Sequence, residues 1–197
     1  MSPEAVRANL ERIRGEVGSA VTIVAATKYV APEDLGVLAA SGVEVVGENR
    51  AQDLERKHAA YGDAFRWHFI GHLQSNKAKV VNGICELVHS LASATAAQRL
   101  TVPALVEVNL SGEASKSGVP PEELPELLAA YGDVRGLMTM PPASSDPEES
   151  RPYFRRLREL AEEHGLAELS MGTSQDYRVA VEEGATLIRV GSVLFGP

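Results

Sequence analysis

The chain has 197 residues, of which 44% are hydrophobic and 23% are charged, and its formal net charge at pH 7 is −8. This length and composition suit one globular domain over residues 1–197, and the negative charge disfavours binding to nucleic acid. The sequence contains neither a secretion signal nor an apolar run of about 18 residues that would suit a membrane span. Its single cysteine, Cys85, excludes an internal disulfide. We therefore expect a protein of the cytoplasm.

The first predicted element is a helix over residues 2–17, with Ser2 suited to its cap and Pro3 to its first turn. Short apolar runs follow, each separated from the next by a turn and a helix-like stretch. The predicted strands cover residues 21–27, 43–48, 67–71, 87–91, 104–110, 134–140, 169–172 and 186–190. The predicted helices between them cover residues 32–40, 50–60, 75–82, 93–100 and 121–130, a segment that ends near residue 164, and 175–183.

Strands that alternate with helices predict βαβ units and a parallel sheet, so the fold class is α/β. Two architectures compete, namely a closed eight-stranded barrel and an open doubly wound sheet. The number of repeats favours the barrel, and the first strand lacks the GxGxxG turn of an open dinucleotide-binding sheet. We therefore predict a single (β/α)8 barrel of the TIM type. Few residues follow the last strand, so we expect the extra N-terminal helix to cover the position of the eighth helix.

Lys28 ends the first predicted strand. Functional residues of such barrels lie at the carboxyl ends of the strands, so this amine would project into the barrel mouth. A lysine shielded from water there would be a better nucleophile toward an aldehyde. A solvated lysine at a strand end is the alternative, and the local sequence leaves both open.

Small and hydroxyl-bearing residues follow the seventh and eighth strands, where barrels commonly bind phosphate. Ser174 follows the seventh strand, and Gly191 and Ser192 follow the eighth. Their backbone N–H and hydroxyl groups are suitable donors to an anion. We expect Ser174 or Gln175 to begin the next helix, whose N-terminus would add to the attraction. Ordinary turn residues are the alternative for each segment taken alone.

Arg189 lies inside the apolar eighth strand, where an unpartnered charge would be costly. Its partner is either a carboxylate or a ligand atom such as a ring nitrogen. Asn49, after the second strand, is suited either to contacting a ligand or to capping a helix. Met138, near the end of the sixth strand, is a candidate for lining a site at the barrel mouth or for the core or a turn.

Five further polar residues have no clear assignment. His68 and His72 are four residues apart on a strand, without the close spacing of helix-borne metal ligands, so no metal site is predicted. His89, Ser90 and Asn109 lie near the ends of the fourth and fifth strands, and they are equally suited to lining a site, to turns and to the core.

Six runs taken together resemble the YggS/PROSC family of pyridoxal-phosphate homeostasis proteins. They cover residues 26–28, 47–49, 67–77, 136–140, 169–172 and 189–191. The third run is long and highly specific, and the others support it. The resemblance implies the barrel of the alanine racemase N-terminal domain, which is fold type III of the pyridoxal-phosphate proteins, and it implies pyridoxal 5'-phosphate as cofactor.

The resemblance also implies roles for individual residues. Lys28 would form the internal aldimine with the cofactor. Arg189 would face the pyridine nitrogen, and Asn49 would lie beside the ring. The positions implied for binding the phosphate are Ser174, Gly191 and Ser192. The aspartate that is usual after the fourth strand is missing, so His89 and Ser90 remain without a role.

Two classes of function follow from this resemblance. One is a homeostasis protein that binds the cofactor without catalytic turnover, and the other is a fold-type III enzyme such as an amino-acid racemase. A racemase needs a second acid/base, which a second domain supplies in alanine racemase and which we do not expect here. An arginine at the ring nitrogen also weakens the ring as an electron sink. We therefore predict a cytoplasmic, monomeric carrier that is not an enzyme, with pyridoxal-phosphate-dependent apo-enzymes as candidate partners. An aldolase-like barrel fits Lys28 and the phosphate corner but not the six runs.

Overall fold

The computed structural model describes residues 1–113 and 116–196, in which parallel strands form a closed barrel in chain order. The strands are β1 Thr22–Ala26, β2 Val45–Glu48, β3 Arg66–Phe69, β4 Leu87–Leu91, β5 Ala104–Glu107, β6 Val134–Met138, β7 Glu168–Thr173 and β8 Leu187–Val190. Pairing between β1 and β8 closes the barrel. The predicted α/β fold class and (β/α)8 barrel are thus confirmed.

Helices cover the outside of this barrel. They are α1 Pro3–Val17, α2 Leu35–Ala40, α3 Ala51–Tyr61, α4 Ala78–Ile84, α5 Ala94–Ala97, α6 Leu124–Ala130, α7 Arg151–Glu163, α8 Tyr177–Glu182 and α9 Ser192–Phe195. None of the helices in the described part of the chain has the length and apolar character that crossing a lipid bilayer requires.

The first helix occupies the place of an eighth outer helix, as predicted. α1 packs against α2, α8 and the single turn of α9. The Ser2 hydroxyl accepts a hydrogen bond from the Ala5 N–H at 3.3 Å, and Pro3 begins the helix. The apolar positions Val6, Ile13 and Val17 are buried on the barrel side.

Several predicted strands end earlier than expected, among them β5 and β6. β5 ends at Glu107 rather than at residue 110, because the Asn109 side chain accepts a hydrogen bond from the Ser111 N–H at 3.2 Å in a tight turn. β6 ends at Met138 rather than at residue 140, and Pro141, which cannot donate to a sheet, follows closely. These shifts change which residues stand at the carboxyl ends of the strands.

Apolar residues fill two layers. The larger layer lies between the strands and the helices, and a smaller one lies inside the barrel. The inner residues are Val24, Val45, Leu87, Leu105, Met138 and Leu187. Several buried polar side chains share the interior with them, and the functional site is built on these.

The pairing of β6 with β7 leaves no room for a side chain at Gly136. This residue pairs with Glu168, and a Cβ atom on it would overlap the Glu168 carbonyl oxygen. Because the clash involves backbone rather than a flexible side chain, only movement of a strand would relieve it.

We predict that Gly136→Ala lowers the free energy of unfolding by about 1–3 kcal/mol. Urea unfolding of the purified variant measures this loss. Gly83→Ala is the matched control, since Gly83 is exposed on α4 and a Cβ there meets nothing within 4 Å. The control should be neutral or stabilised by up to about 1 kcal/mol. Equal stabilities of the two variants would contradict the prediction.

Candidate functional site

An open cavity of about 890 Å³ lies at the carboxyl ends of the strands. All of the residues predicted to bind a cofactor line it, namely Lys28, Asn49, Met138, Ser174, Arg189, Gly191 and Ser192. They come from β6 and β8 and from the segments that follow β1, β2, β7 and β8. The barrel thus brings the predicted residues together, while their individual roles remain predictions.

Two backbone N–H groups converge on one oxygen at the β7–β8 corner. The N–H groups of Gly191 and Val193 donate to Ser174 Oγ at 3.0 and 3.3 Å. Ser192, between the two donors, also lines the cavity. Backbone N–H groups and hydroxyls clustered in this way form a donor set suited to the oxygens of an anion.

The predicted start of the helix after β7 is wrong. α8 begins at Tyr177 rather than at Ser174 or Gln175. The Asp176 carboxylate accepts hydrogen bonds from the Thr173 N–H at 2.7 Å and the Thr173 hydroxyl at 3.0 Å. This turn delays the helix, and it leaves the Ser174 hydroxyl to meet the N–H groups after β8 instead.

Arg189 is buried and held from one side. Its Nη1 donates to the Ser170 carbonyl at 2.9 Å and to the Ser170 hydroxyl, and its Nη2 donates to the Thr139 carbonyl at 3.0 Å and contacts the Met140 sulfur at 2.9 Å. Burial lowers the pKa of Arg189 to about 10, so the guanidinium remains charged at neutral pH. The same residue lines the cavity, where it is available as a donor to a ligand.

Glu107 also lines the cavity, although the sequence did not single it out. The fifth strand was predicted to continue to residue 110, which placed its end near Asn109 rather than at Glu107. Asn109 instead orders the following loop, and its amide donates to the Glu113 carbonyl at 2.9 Å. Burial raises the pKa of the Glu107 carboxyl, and the charge of Arg189 partly offsets this effect.

Lys28 is exposed, so of the two alternatives that the local sequence left open the structure shows the solvated one. β1 ends at Ala26, and the next residue, Thr27, turns inward and is buried. Lys28 therefore stands on the rim of the cavity, with Nζ 4.8 Å from the centre of the Tyr29 ring.

A buried ion pair lies directly beneath this rim. Lys57 Nζ contacts Glu48 Oε1, and the two side chains are 4% and 1% exposed. Lys57 also donates to the Thr27 carbonyl at 2.7 Å, while Glu48 accepts from the Thr27 hydroxyl at 2.6 Å and from the Asn49 N–H at 3.2 Å. The pair fixes the backbone that carries Lys28 and Asn49. Asn49 accordingly lines the cavity, and Arg50 occupies the cap position of α3.

We predict that Lys57→Met lowers the free energy of unfolding by about 3–5 kcal/mol, because it leaves the buried Glu48 carboxylate without its partner. Urea unfolding at pH 7 measures the loss. Arg56→Met on the same helix breaks an exposed pair with Asp53 and should cost less than about 1 kcal/mol. Adding Glu48→Gln to Lys57→Met should recover part of the loss, and a double variant no more stable than the single one would count against this explanation.

The two histidines of the run over residues 67–77, His68 and His72, lie in different surroundings. β3 ends at Phe69, so His72 lies beyond the strand, exposed at the cavity, while His68 is buried inside the barrel. His68 Nδ1 lies 2.9 Å from His89 Nε2. Burial lowers the pKa of His68 to about 4, and Arg66 contributes to this shift. Burial also lowers the pKa of His89, and both histidines are therefore neutral at pH 7.

This burial makes stability depend on pH. The pKa of His68 falls from 6.5 in the unfolded chain to about 4 in the folded one, so between these values the unfolded chain binds the extra proton. We predict that acidification through this window lowers the free energy of unfolding, with His68 contributing up to about 3 kcal/mol.

Urea unfolding at pH 7 and at about pH 4.5 tests this prediction by comparison of variants. His68→Gln should show a smaller loss on acidification than the wild type. His164→Gln, which alters an exposed histidine after α7, should show the wild-type loss. If His68→Gln loses as much stability as the wild type, the histidine does not carry the dependence.

Comparisons with known proteins extend over the whole chain. The family described as alanine racemase, N-terminal domain, matches residues 1–197. A relative from Aquifex aeolicus, named pyridoxal phosphate homeostasis protein, is 43% identical and is matched over 93% of this chain and 89% of its own length. The structure of PipY from Synechococcus elongatus, with pyridoxal phosphate bound, is 32% identical with a TM-score of 0.86, covering 97% of this chain and all of the other.

The likeness of the fold extends to a more distant protein. The structure of alanine racemase from Corynebacterium glutamicum has a TM-score of 0.79 with 16% identity, and the match covers 100% of this chain and 61% of that one. At this identity the match concerns the barrel alone.

Proposed function

The chain belongs to the alanine racemase N-terminal domain family, among the pyridoxal phosphate homeostasis proteins, and from this we propose that it binds pyridoxal 5'-phosphate for cofactor homeostasis. The binding site in this proposal is the cavity at the carboxyl ends of the strands. Lys28 holds the cofactor covalently, and the β7–β8 corner holds its phosphate.

One observation carries the proposal, namely that three different kinds of group line a single cavity. They are the Lys28 amine, the donor set around Ser174, and the buried guanidinium of Arg189. When bound, the cofactor supplies an aldehyde that condenses with a primary amine. The three groups therefore match the aldehyde, the phosphate and the ring nitrogen of one molecule.

Each group has a distinct task in this proposal. Lys28 is exposed on the rim, and from there its side chain reaches into the cavity. The Gly191 and Val193 N–H groups, which now meet Ser174 Oγ, donate to phosphate oxygens together with the hydroxyls of Ser174 and Ser192. Arg189 remains protonated and donates a hydrogen bond to the ring nitrogen. Asn49 and Met138 bound the space for the ring.

We further propose that the protein carries the cofactor rather than turning over a substrate. The relative from Aquifex aeolicus is named a homeostasis protein rather than an enzyme. A charged arginine at the ring nitrogen keeps that nitrogen unprotonated, and the ring is then a weak electron sink. The alternative of a racemase-like enzyme rests on Glu107, because a buried carboxyl with a raised pKa is a suitable acid/base in such a cavity.

The remaining features of the proposal concern the setting of the protein. A bond to an exposed lysine leaves the cofactor accessible to the lysines of pyridoxal-phosphate-dependent apo-enzymes, which are the proposed recipients. The reduced, buried thiol of Cys85 suits the cytoplasm. We propose that the carrier acts as a monomer, which size-exclusion chromatography with light scattering would test.

We predict that the wild type, mixed with pyridoxal 5'-phosphate, develops an absorbance band that differs from that of the free cofactor. Lys28→Ala should lose this band, while Lys79→Ala, on α4, should keep it. Borohydride reduction followed by peptide mass spectrometry should locate the cofactor on Lys28. A wild type without the band, or label on another lysine, would overturn the proposed attachment.

Two further experiments test the recognition of the phosphate and the absence of turnover separately. Pyridoxal, which lacks the phosphate, should bind at least about tenfold more weakly, since charged hydrogen bonds at the β7–β8 corner are lost. Racemisation and decarboxylation assays with amino acids should show no turnover. Turnover that Glu107→Gln abolishes would instead favour the enzyme.

A further inference from the structure

A chain of hydrogen bonds crosses the interior of the barrel. His68 on β3 meets His89 on β4 at 2.9 Å, and His89 Nδ1 meets the Ser170 hydroxyl on β7 at 2.7 Å. The same hydroxyl accepts from Arg189 Nη1 on β8. All of these side chains are at most 5% exposed. Four strands are thus joined through polar side chains in a region that apolar residues otherwise fill.

This chain of hydrogen bonds connects the two ends of the barrel. His68 also lines a pocket of about 250 Å³ at the amino ends of the strands, together with Thr22 and Glu168. Arg189 lines the large cavity at the carboxyl ends. A side chain that has no part in lining the proposed cofactor site is therefore linked to one that does.

Arg189 determines which group is the donor in every hydrogen bond of this series. A guanidinium only donates, so the Ser170 hydroxyl must accept from it. Among the described residues, His89 Nδ1 is the acceptor within reach of the remaining hydroxyl hydrogen. His89 then carries its own hydrogen on Nε2 and donates it to His68 Nδ1. His68 in turn carries its hydrogen on Nε2.

Both imidazoles must be neutral for this direction to hold. Burial favours the neutral form of each, and a charge on His89 would also meet the charge of Arg189. The opposite tautomer of His89 would place an N–H against the hydroxyl and leave the hydroxyl hydrogen without an acceptor. An unsatisfied donor in the interior is costly, so one arrangement is strongly favoured.

We propose that His68 and His89 are positioning residues, which hold the Ser170 hydroxyl as an acceptor and thereby fix the Arg189 guanidinium that faces the cofactor. A free serine hydroxyl rotates among several directions, whereas one that donates to His89 presents its lone pairs to Arg189. The inference rests on the proposed function of Arg189, but the proton arrangement exists without any ligand.

The first test reads the proton arrangement in the protein without cofactor. Two-bond correlation of imidazole hydrogens and nitrogens by NMR, at pH 7 in 15N-labelled protein, distinguishes the tautomers. We expect both His68 and His89 to be neutral with the hydrogen on Nε2. A charged ring, or a hydrogen on Nδ1 of either residue, would overturn the inference.

The second test follows cofactor affinity in variants. His89→Leu should keep the covalent band on Lys28 but weaken binding by about tenfold, because Arg189 loses its fixed acceptor. His68→Leu should act in the same direction with a smaller effect. Ser41→Ala removes the hydroxyl of a buried serine at the end of α2, which does not line the cavity, and it should stay within about twofold of the wild type.

A double-variant cycle separates positioning from a general loss of structure. If His89 acts through Ser170, then Ser170→Ala with His89→Leu should bind within about twofold of Ser170→Ala alone. Independent, multiplying losses would overturn the inference, as would unchanged affinity in His89→Leu. Failure of the wild type to bind the cofactor would instead reject the proposed function, and the NMR result would still decide the proton arrangement.

Discussion

Closure of the barrel by pairing between β1 and β8 is the constraint on which the site depends. Thr22 pairs with Leu187 and Ala25 with Val190, so the first and last strands share a ladder. Lys28 follows one of these strands and Arg189 lies in the other. In an open sheet these strands could stand at separate positions, and the amine would not reach the cavity that the guanidinium lines. The chemistry of the site is therefore a consequence of the topology.

The seam between the first and last strands is reinforced from outside. The Asn9 amide on α1 donates to the carbonyls of Leu194 and Gly196 at 3.2 and 3.1 Å. Arg178 on α8 pairs with Glu16 near the end of α1 at 3.0 Å. The first helix thus ties down the segment after β8, which includes Gly191 and Ser192.

The sequence was informative where a structural feature leaves a local pattern. Alternating apolar runs and turns predicted the strands, and the strand-end rule placed Lys28, Ser174 and Arg189 in one cavity. Periodicity does not show where pairing stops, and an error of three residues in β5 hid Glu107. The pairs of Glu48 with Lys57 and of His68 with His89 depend on strand register and helix packing. No spacing in the sequence reveals them, because their members lie nine and 21 residues apart.

One side of the site is held in place by hydrogen bonds and the other side is exposed to solvent, and this division suits reversible binding. At β8, Arg189 is held by hydrogen bonds to Ser170 and Thr139 that already exist without a ligand, so little order is lost there when a cofactor binds. At β1, Lys28 is exposed, and the ion pair beneath it fixes the backbone but not the amine. In the proposed complex, water that reaches the bond to Lys28 would permit hydrolysis and release, whereas a closed site would favour retention. Fixed recognition beside an accessible covalent bond is what the proposed exchange of cofactor with other proteins requires.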